Sequence, residues 1–97
     1  IFGITDDLAI GAIEAIKEKG LNIPEDIAVV GFSNTKRSRY MNPTVSSINQ
    51  FPEKIGRAAA ELLFDQILNS KHVQIKKEII NCELIVRESS DRLCKTR

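Results

Sequence analysis

Short polar side chains close two apolar runs of this sequence: Thr5-Asp6 after Ile1-Phe2-Gly3-Ile4, and Ser33-Asn34 after Ile27-Ala28-Val29-Val30-Gly31-Phe32. The hydroxyl and amide of Ser33-Asn34 are where a small polar ligand would be sought first, because ligands of open α/β sheets bind just outside the carboxyl ends of the strands. The same residues have plainer uses. Thr5-Asp6 is helix N-cap chemistry, alone or combined with ligand contact, and Ser33-Asn34 also reads as a loop former where a strand turns. Bond-breaking chemistry finds little support. Glu78 and Glu83 have no second carboxylate at a useful spacing, and His72, between Lys71 and Val73, has no partner nearby in sequence. There is no phosphate loop, dinucleotide fingerprint, nucleophile elbow or zinc-protease motif. Cys82 and Cys94 have neither disulfide-framework nor metal-ligand spacing, which points to reduced thiols in a cytosolic protein. Lys36, Arg37 and Arg39 could form a phosphate patch, but three charges on a surface loop read better as solvated or paired. We therefore expect no enzyme, no metal and no cofactor.

These residues need elements to hold them. Thr5-Asp6 opens a helix in which Leu8, Ala9, Ala12, Ile13, Ala15 and Ile16 recur at helical spacing, and Gly20 can take the left-handed conformation past its last turn. Ser33-Asn34 follows an almost wholly apolar, β-branched run, the pattern of a strand buried on both faces of a parallel sheet. Strand, helix and strand make one right-handed βαβ unit of about 30 residues. Residues 36–42 read as a loop with one helical turn, stopped by Pro43, and Val45–Gln50 as a half-exposed strand. Pro52 then opens a second long helix, ending near Asn69, with Ile55, Ala58, Ala59, Leu62, Leu63, Gln66 and Ile67 on its buried face. After a solvated connector at 71–74, residues 75–80 and 82–86 read as one bent strand or two short ones, and 92–97 as a tail.

Two long helices cannot cover both faces of a sheet of four or five strands, so a missing neighbour is implied, either more chain or another copy. The formal charge of +1, from 14 basic and 13 acidic residues, supplies no whole-chain reason to expect nucleic-acid or membrane binding. No apolar run approaches the roughly 20 residues that a bilayer span needs.

Four patterns stand in one order: Thr5-Asp6-Asp7-Leu8-Ala9-Ile10-Gly11; residues 20–32, GLNIPEDIAVVGF; residues 43–50, PTVSSINQ; and residues 84–90, LIVRESS. The chain resembles the C-terminal part of the effector-binding domain of lactose-repressor-type bacterial transcription regulators. That resemblance implies an α/β fold, part of a type I periplasmic-binding-protein-like domain with a parallel sheet in a three-layer sandwich. Residues 1–91 would supply its C-terminal part: 1–48 and 84–91 in the C-terminal subdomain and 49–83 in the N-terminal one, with effector held in the cleft between them. The resemblance places Thr5, Asp6 and Ser33 at the effector, with Gln50, Pro52 and Ile55 at the third crossover. Ser33 stands where the family has an effector-binding aspartate; a serine reaches less far and accepts hydrogen bonds more weakly than a carboxylate.

Dimerisation is implied through Ile10, Glu14, Arg37, Tyr40 and Met41, and the sequence assigns Ile10, Tyr40 and Met41 no evident core role. The expected function is effector sensing and homodimer formation in a cytoplasmic regulator. It would bind a small metabolite such as a sugar and touch DNA only through a helix-turn-helix outside this sequence, with no membrane contact. A fragment of a periplasmic sugar-binding protein for transport is the alternative.

Overall fold

The computed structural model describes residues 1–69 and 75–92. His72, Cys94 and the connector at 71–74 lie outside them. The chain forms two compact units, Ile1–Asn49 with Glu83–Arg97, and Gln50–Cys82.

The first unit is built around helix α1, Asp6–Glu18. Thr5 caps it, accepting the Leu8 N–H on its hydroxyl, and Gly20 ends it at a φ of 74°, with the Leu21 N–H donating back to the Ile16 carbonyl. Its buried residues Ala9, Ile10, Ile13 and Ile16 meet Val29 and Val45, and Ile23, Ile27 and Met41 pack against that cluster. The helical spacing is as the sequence predicts, but the stripe is rotated: Leu8 is 59% exposed and Ile10 is buried. Each fully buried isoleucine removes enough apolar surface from water to contribute about 2–3 kcal/mol, so this one-sided contact is the main attraction holding α1 down.

Beneath α1 the chain runs in extended segments. Phe2 bridges Val30 and Val30 bridges Ser46, both in parallel, through bonds that include Val30 N–H to the Ile1 carbonyl (2.9 Å) and Gly31 N–H to the Ser46 carbonyl (2.8 Å). Strand β1, Ser47–Asn49, then pairs antiparallel with β2, Glu83–Ile85, in the register Ser47 to Ile85 and Asn49 to Glu83. The short helix α2, Lys36–Tyr40, occupies the place where the sequence predicts a single turn.

Two glycines set how closely α1 can sit. A Cβ on Gly3 would lie 2.7 Å from the Ala9 backbone nitrogen, and one on Gly31 would overlap the Asp6 carboxylate. Backbone cannot yield as a flexible side chain does, so Gly3→Ala is expected to lift α1 and cost about 2 kcal/mol. Gly11, inside the same helix with nothing within 4 Å of its would-be Cβ, gives the opposite sign: Gly11→Ala should stabilise by about 0.5–1 kcal/mol. Urea midpoints of the two variants check both signs, and similar shifts for both would refute the close approach.

The second unit contains helix α3, Pro52–Leu68, with Pro52 in its first turn and Phe51 before it at a φ of 53°. Asn69 bonds back to Asp65 through both backbone and side chain. The hydrogen bond and charge of Lys76, helped by Asn69, hold the exposed Asp65 carboxyl below its usual pKa, so this small contribution is present at neutral pH and lost on acidification. No residue of α3 is buried. The expected apolar face is present but uncovered, with Ile55, Leu63 and Ile67 all exposed, because this unit offers no second layer against which to pack it. Residues 75–80, expected as a strand, have no strand partner among the described residues, and only 83–85 of the second expected stretch pair into one.

Candidate functional site

Where the run 27–32 ends, Ser33 and Asn34 turn the chain with φ values of 100° and 50°. Two successive non-glycine residues in this region persist only where their surroundings over-determine them. Three consecutive amides are held here. Ser33 N–H donates to the Ile48 carbonyl (3.0 Å), Asn34 N–H to Ser47 Oγ (2.9 Å) and Thr35 N–H to Asp6 Oδ2 (2.6 Å). The Asn34 side chain is fixed too, its Oδ1 accepting from Arg87 Nη2 at 2.7 Å. Ser33 is exposed at the tip of this corner.

Asp6 lies within the fold. Its side chain is fully buried; Oδ2 accepts from the Thr35 N–H and hydroxyl (2.6 and 2.9 Å) and Oδ1 from the Ser47 hydroxyl (2.6 Å). Its own N–H donates to the Phe32 carbonyl at 3.0 Å. The expected ligand contact at Asp6 is thus corrected: the carboxylate anchors the corner from the inside and presents no surface to a ligand. Thr5 remains exposed beside it while capping α1.

The structure therefore brings Thr5, Asp6 and Ser33 together in the first unit. Gln50, Pro52 and Ile55 belong to the second, where Gln50 is half-buried and Pro52 and Ile55 are exposed on the first turn of α3. Of the residues expected at a dimer surface, Ile10 is corrected to the core and Met41 to its margin, because the face of α1 that carries Ile13 also carries Ile10. Glu14, Arg37 and Tyr40 stay exposed, Tyr40 at 84%. Arg37 lies 3.8 Å from Asp7, an exposed pair of little energetic weight.

Several residues that matter here were not among the expected site residues. Arg87 donates from Nη1 to the Val45 carbonyl (2.8 Å) and Ser38 Oγ (3.3 Å) as well as to Asn34. Partial burial, then Arg39, draws its pKa down, with Asp6 opposing. Ser46, Ser47 and Ser89 are fully buried hydroxyls, and Ser89 joins distant segments by donating to the Val29 carbonyl (2.6 Å) and accepting from the Ser46 N–H (2.8 Å). The Ser46-Ser47 and Ser89-Ser90 pairs beside apolar runs were the available clue, since small hydroxyls can satisfy buried backbone. A cavity of about 410 Å³ opens between the end of α1 and the turn at 42–43, lined in part by Lys17, Asn22, Pro24, Asn42 and Glu88; none of the expected ligand residues lines it. Among the described residues no group of three or more His, Cys, Asp or Glu is placed to hold a metal ion.

A family model for a periplasmic binding protein-like domain matches residues 1–90. The chain belongs to this family. Its curated relatives include the HTH-type transcriptional repressor PurR of Pasteurella multocida, 39% identical over 89 residues, an alignment that covers 92% of this chain and 26% of the relative. Among solved structures, the complex of the transcriptional regulator CelR with cellobiose matches at 31% identity and a TM-score of 0.85, over 92% of this chain and 27% of that one. A periplasmic binding ribose operon repressor protein from Lactobacillus acidophilus matches at 35% identity and a TM-score of 0.82, over 94% and 34%. The periplasmic-binding-protein-like fold and the likeness to lactose-repressor-type regulators thus extend over nearly all of this sequence, which spans about a quarter of the length of the curated relatives it matches. No helix among the described residues is long and apolar enough to cross a membrane.

Proposed function

We propose that this chain is the effector-sensing and dimer-forming part of a cytoplasmic bacterial transcription regulator, one that binds a sugar or related small metabolite and thereby controls DNA binding by a helix-turn-helix outside these residues. The observation that carries the reading is the Ser33–Asn34 corner: a polar turn at the end of the extended run 27–32, with Ser33 exposed, held in a left-handed conformation by three anchored amides. Such pre-organisation lowers the ordering cost of binding.

In this reading residues 1–48 and 84–91 belong to the C-terminal subdomain of a three-layer sandwich with a parallel sheet, and 49–83 to the N-terminal one. Ser33 and Thr5 contact effector hydroxyls, Gln50, Pro52 and Ile55 contribute from the third crossover, and Asp6 holds the corner without touching the ligand. Glu14, Arg37 and Tyr40 form the exposed part of the homodimer surface, backed by Ile10 and Met41. The chain does no catalysis.

Transport by a periplasmic sugar-binding protein would use the same fold. The names of the relatives, repressors and regulators, favour the regulator. A secretory leader in the complete gene would favour transport.

Thermal unfolding of the whole regulator with ribose or cellobiose tests the effector class. A ligand at a hundred times its Kd adds about 2.7 kcal/mol to native stability, a rise of several degrees in Tm. Failure of a panel of pentoses, hexoses and disaccharides to raise Tm would overturn the sugar assignment.

A further inference from the structure

We propose that Arg87 is a positioning residue that locks the Ser33–Asn34 corner to α2, so that the shape of the effector-facing turn and the exposed surface of α2 are set together. The guanidinium reaches three acceptors. Nη2 donates to Asn34 Oδ1 (2.7 Å), and Nη1 to the Val45 carbonyl (2.8 Å) and Ser38 Oγ (3.3 Å). These acceptors belong to the corner, to the segment leading into β1 and to α2, three places that adjoin one another only in the folded chain.

Arginine suits this task because its donors leave a rigid plane in fixed directions, so no one acceptor can shift without weakening its bond to the fork. A lysine, with a compact charge on a flexible stem, cannot hold all three. The fork is itself held, since the Arg87 N–H donates to Ser46 Oγ at 2.8 Å.

The α2 side is equally constrained. Ser38 is fully buried; its hydroxyl donates to the Thr35 carbonyl (2.6 Å) and its carbonyl accepts from the Val45 N–H (2.8 Å). A displacement of Asn34 therefore reaches Ser38 by two routes, through Thr35 along the chain and through Arg87 across it. Tyr40, 84% exposed, ends the same helix. The clamp stands on these contacts alone, whereas its link to a ligand rests on the effector reading proposed above.

Hydrogen exchange of the whole regulator, read by mass spectrometry, separates the two. Arg87→Ala and Asn34→Gly, the latter removing the acceptor while allowing the left-handed backbone, should speed exchange of amides 33–38 about tenfold with amides 9–16 of α1 unchanged. Arg87→Lys should fall between, and Asn34→Asp, which keeps the acceptor, should retain wild-type protection. If Arg87→Ala does not fold, the Asn34→Gly and Asn34→Asp pair decides.

Unchanged protection at 33–38 in Asn34→Gly, or equal acceleration in α1, overturns the clamp. With millimolar ribose or cellobiose, the wild type should gain protection at 33–36 and at 37–40. Protection at the corner alone overturns the coupling to α2. Protection at neither with any sugar of the pentose, hexose and disaccharide panel, with the variant results intact, overturns the sugar-effector reading and leaves the clamp standing.

Discussion

Asp6→Ala should destabilise the first unit by about 3 kcal/mol or more. The carboxylate is the shared acceptor for the Thr35 N–H, the Thr35 hydroxyl and the Ser47 hydroxyl. Alanine accepts none of them. A buried donor left without a partner costs about 1–3 kcal/mol; the half-open Thr35 groups recover some of this from water, and the fully buried Ser47 hydroxyl recovers least. The void left by the carboxylate adds to the loss.

Asp6→Asn should be milder, about 1–1.5 kcal/mol. Its remaining oxygen can face Thr35 and accept both bonds, while its amide donates to Ser47, whose hydroxyl can rotate to accept. What is lost is the charge-assisted strength of those bonds, which are roughly twice as strong as neutral ones. Urea unfolding with an unchanged m-value measures both variants. A midpoint for Asp6→Ala equal to wild type would mean that the carboxylate does not anchor the corner.

Ser33→Asp should tighten sugar binding about tenfold or more. A carboxylate can accept two hydroxyls through charge-assisted bonds, where the serine hydroxyl forms fewer and weaker ones. One tenfold step requires only about 1.4 kcal/mol, less than one good bond of this kind supplies. The fold should tolerate the change, because Asp enters the left-handed region more readily than most residues and position 33 is exposed at a φ of 100°. Calorimetric titration of the whole regulator with ribose and cellobiose, with Ser33→Ala as the weakened control, reads the effect. Identical Kd values for all three proteins would remove residue 33 from the site.

The contrast between α1 and α3 explains how far pattern reading reaches. Both helices announce themselves by cap, spacing and terminal residues, and both ends of each lie close to where the sequence places them. Periodicity reports which residues share a face, however, and burial depends on what that face meets. In α1 the stripe is rotated enough to take in Ile10 and leave Leu8 outside; in α3 the apolar stripe meets no covering layer within its unit. The strand expected at 75–80 fails for a related reason, since a strand is a pairing and among the described residues this stretch has none.

The site divides along the same line. Ser33-Asn34 was legible as a polar turn because the cue is local, although the run before it forms only isolated bridges at Val30 rather than the expected strand. Asp6 was not, because an acidic residue in the first turn of a helix ordinarily faces water, and its burial here is decided by Thr35 and Ser47, which lie 29 and 41 residues further along the chain. Arg87 is more remote still, 53 residues from Asn34. Polar interiors of this kind are assembled from contacts that no short window contains.

The stitch made by Ser89 has a consequence for synthesis. Its N–H and hydroxyl donate to the Thr44 and Val29 carbonyls, its hydroxyl also accepts the Ser46 N–H, and its carbonyl accepts the Val29 N–H. Until the ribosome has made and released residue 89, the centre of the first unit lacks all four bonds, although α1 and the extended segments beneath it have already emerged. Such non-local closure is slow to form and leaves unpaired backbone exposed in the meantime. The nascent chain must therefore wait with its middle unsealed, open to chaperones and to neighbouring copies, and truncation just before Ser89 would remove the fastener while sparing every residue of the core it closes.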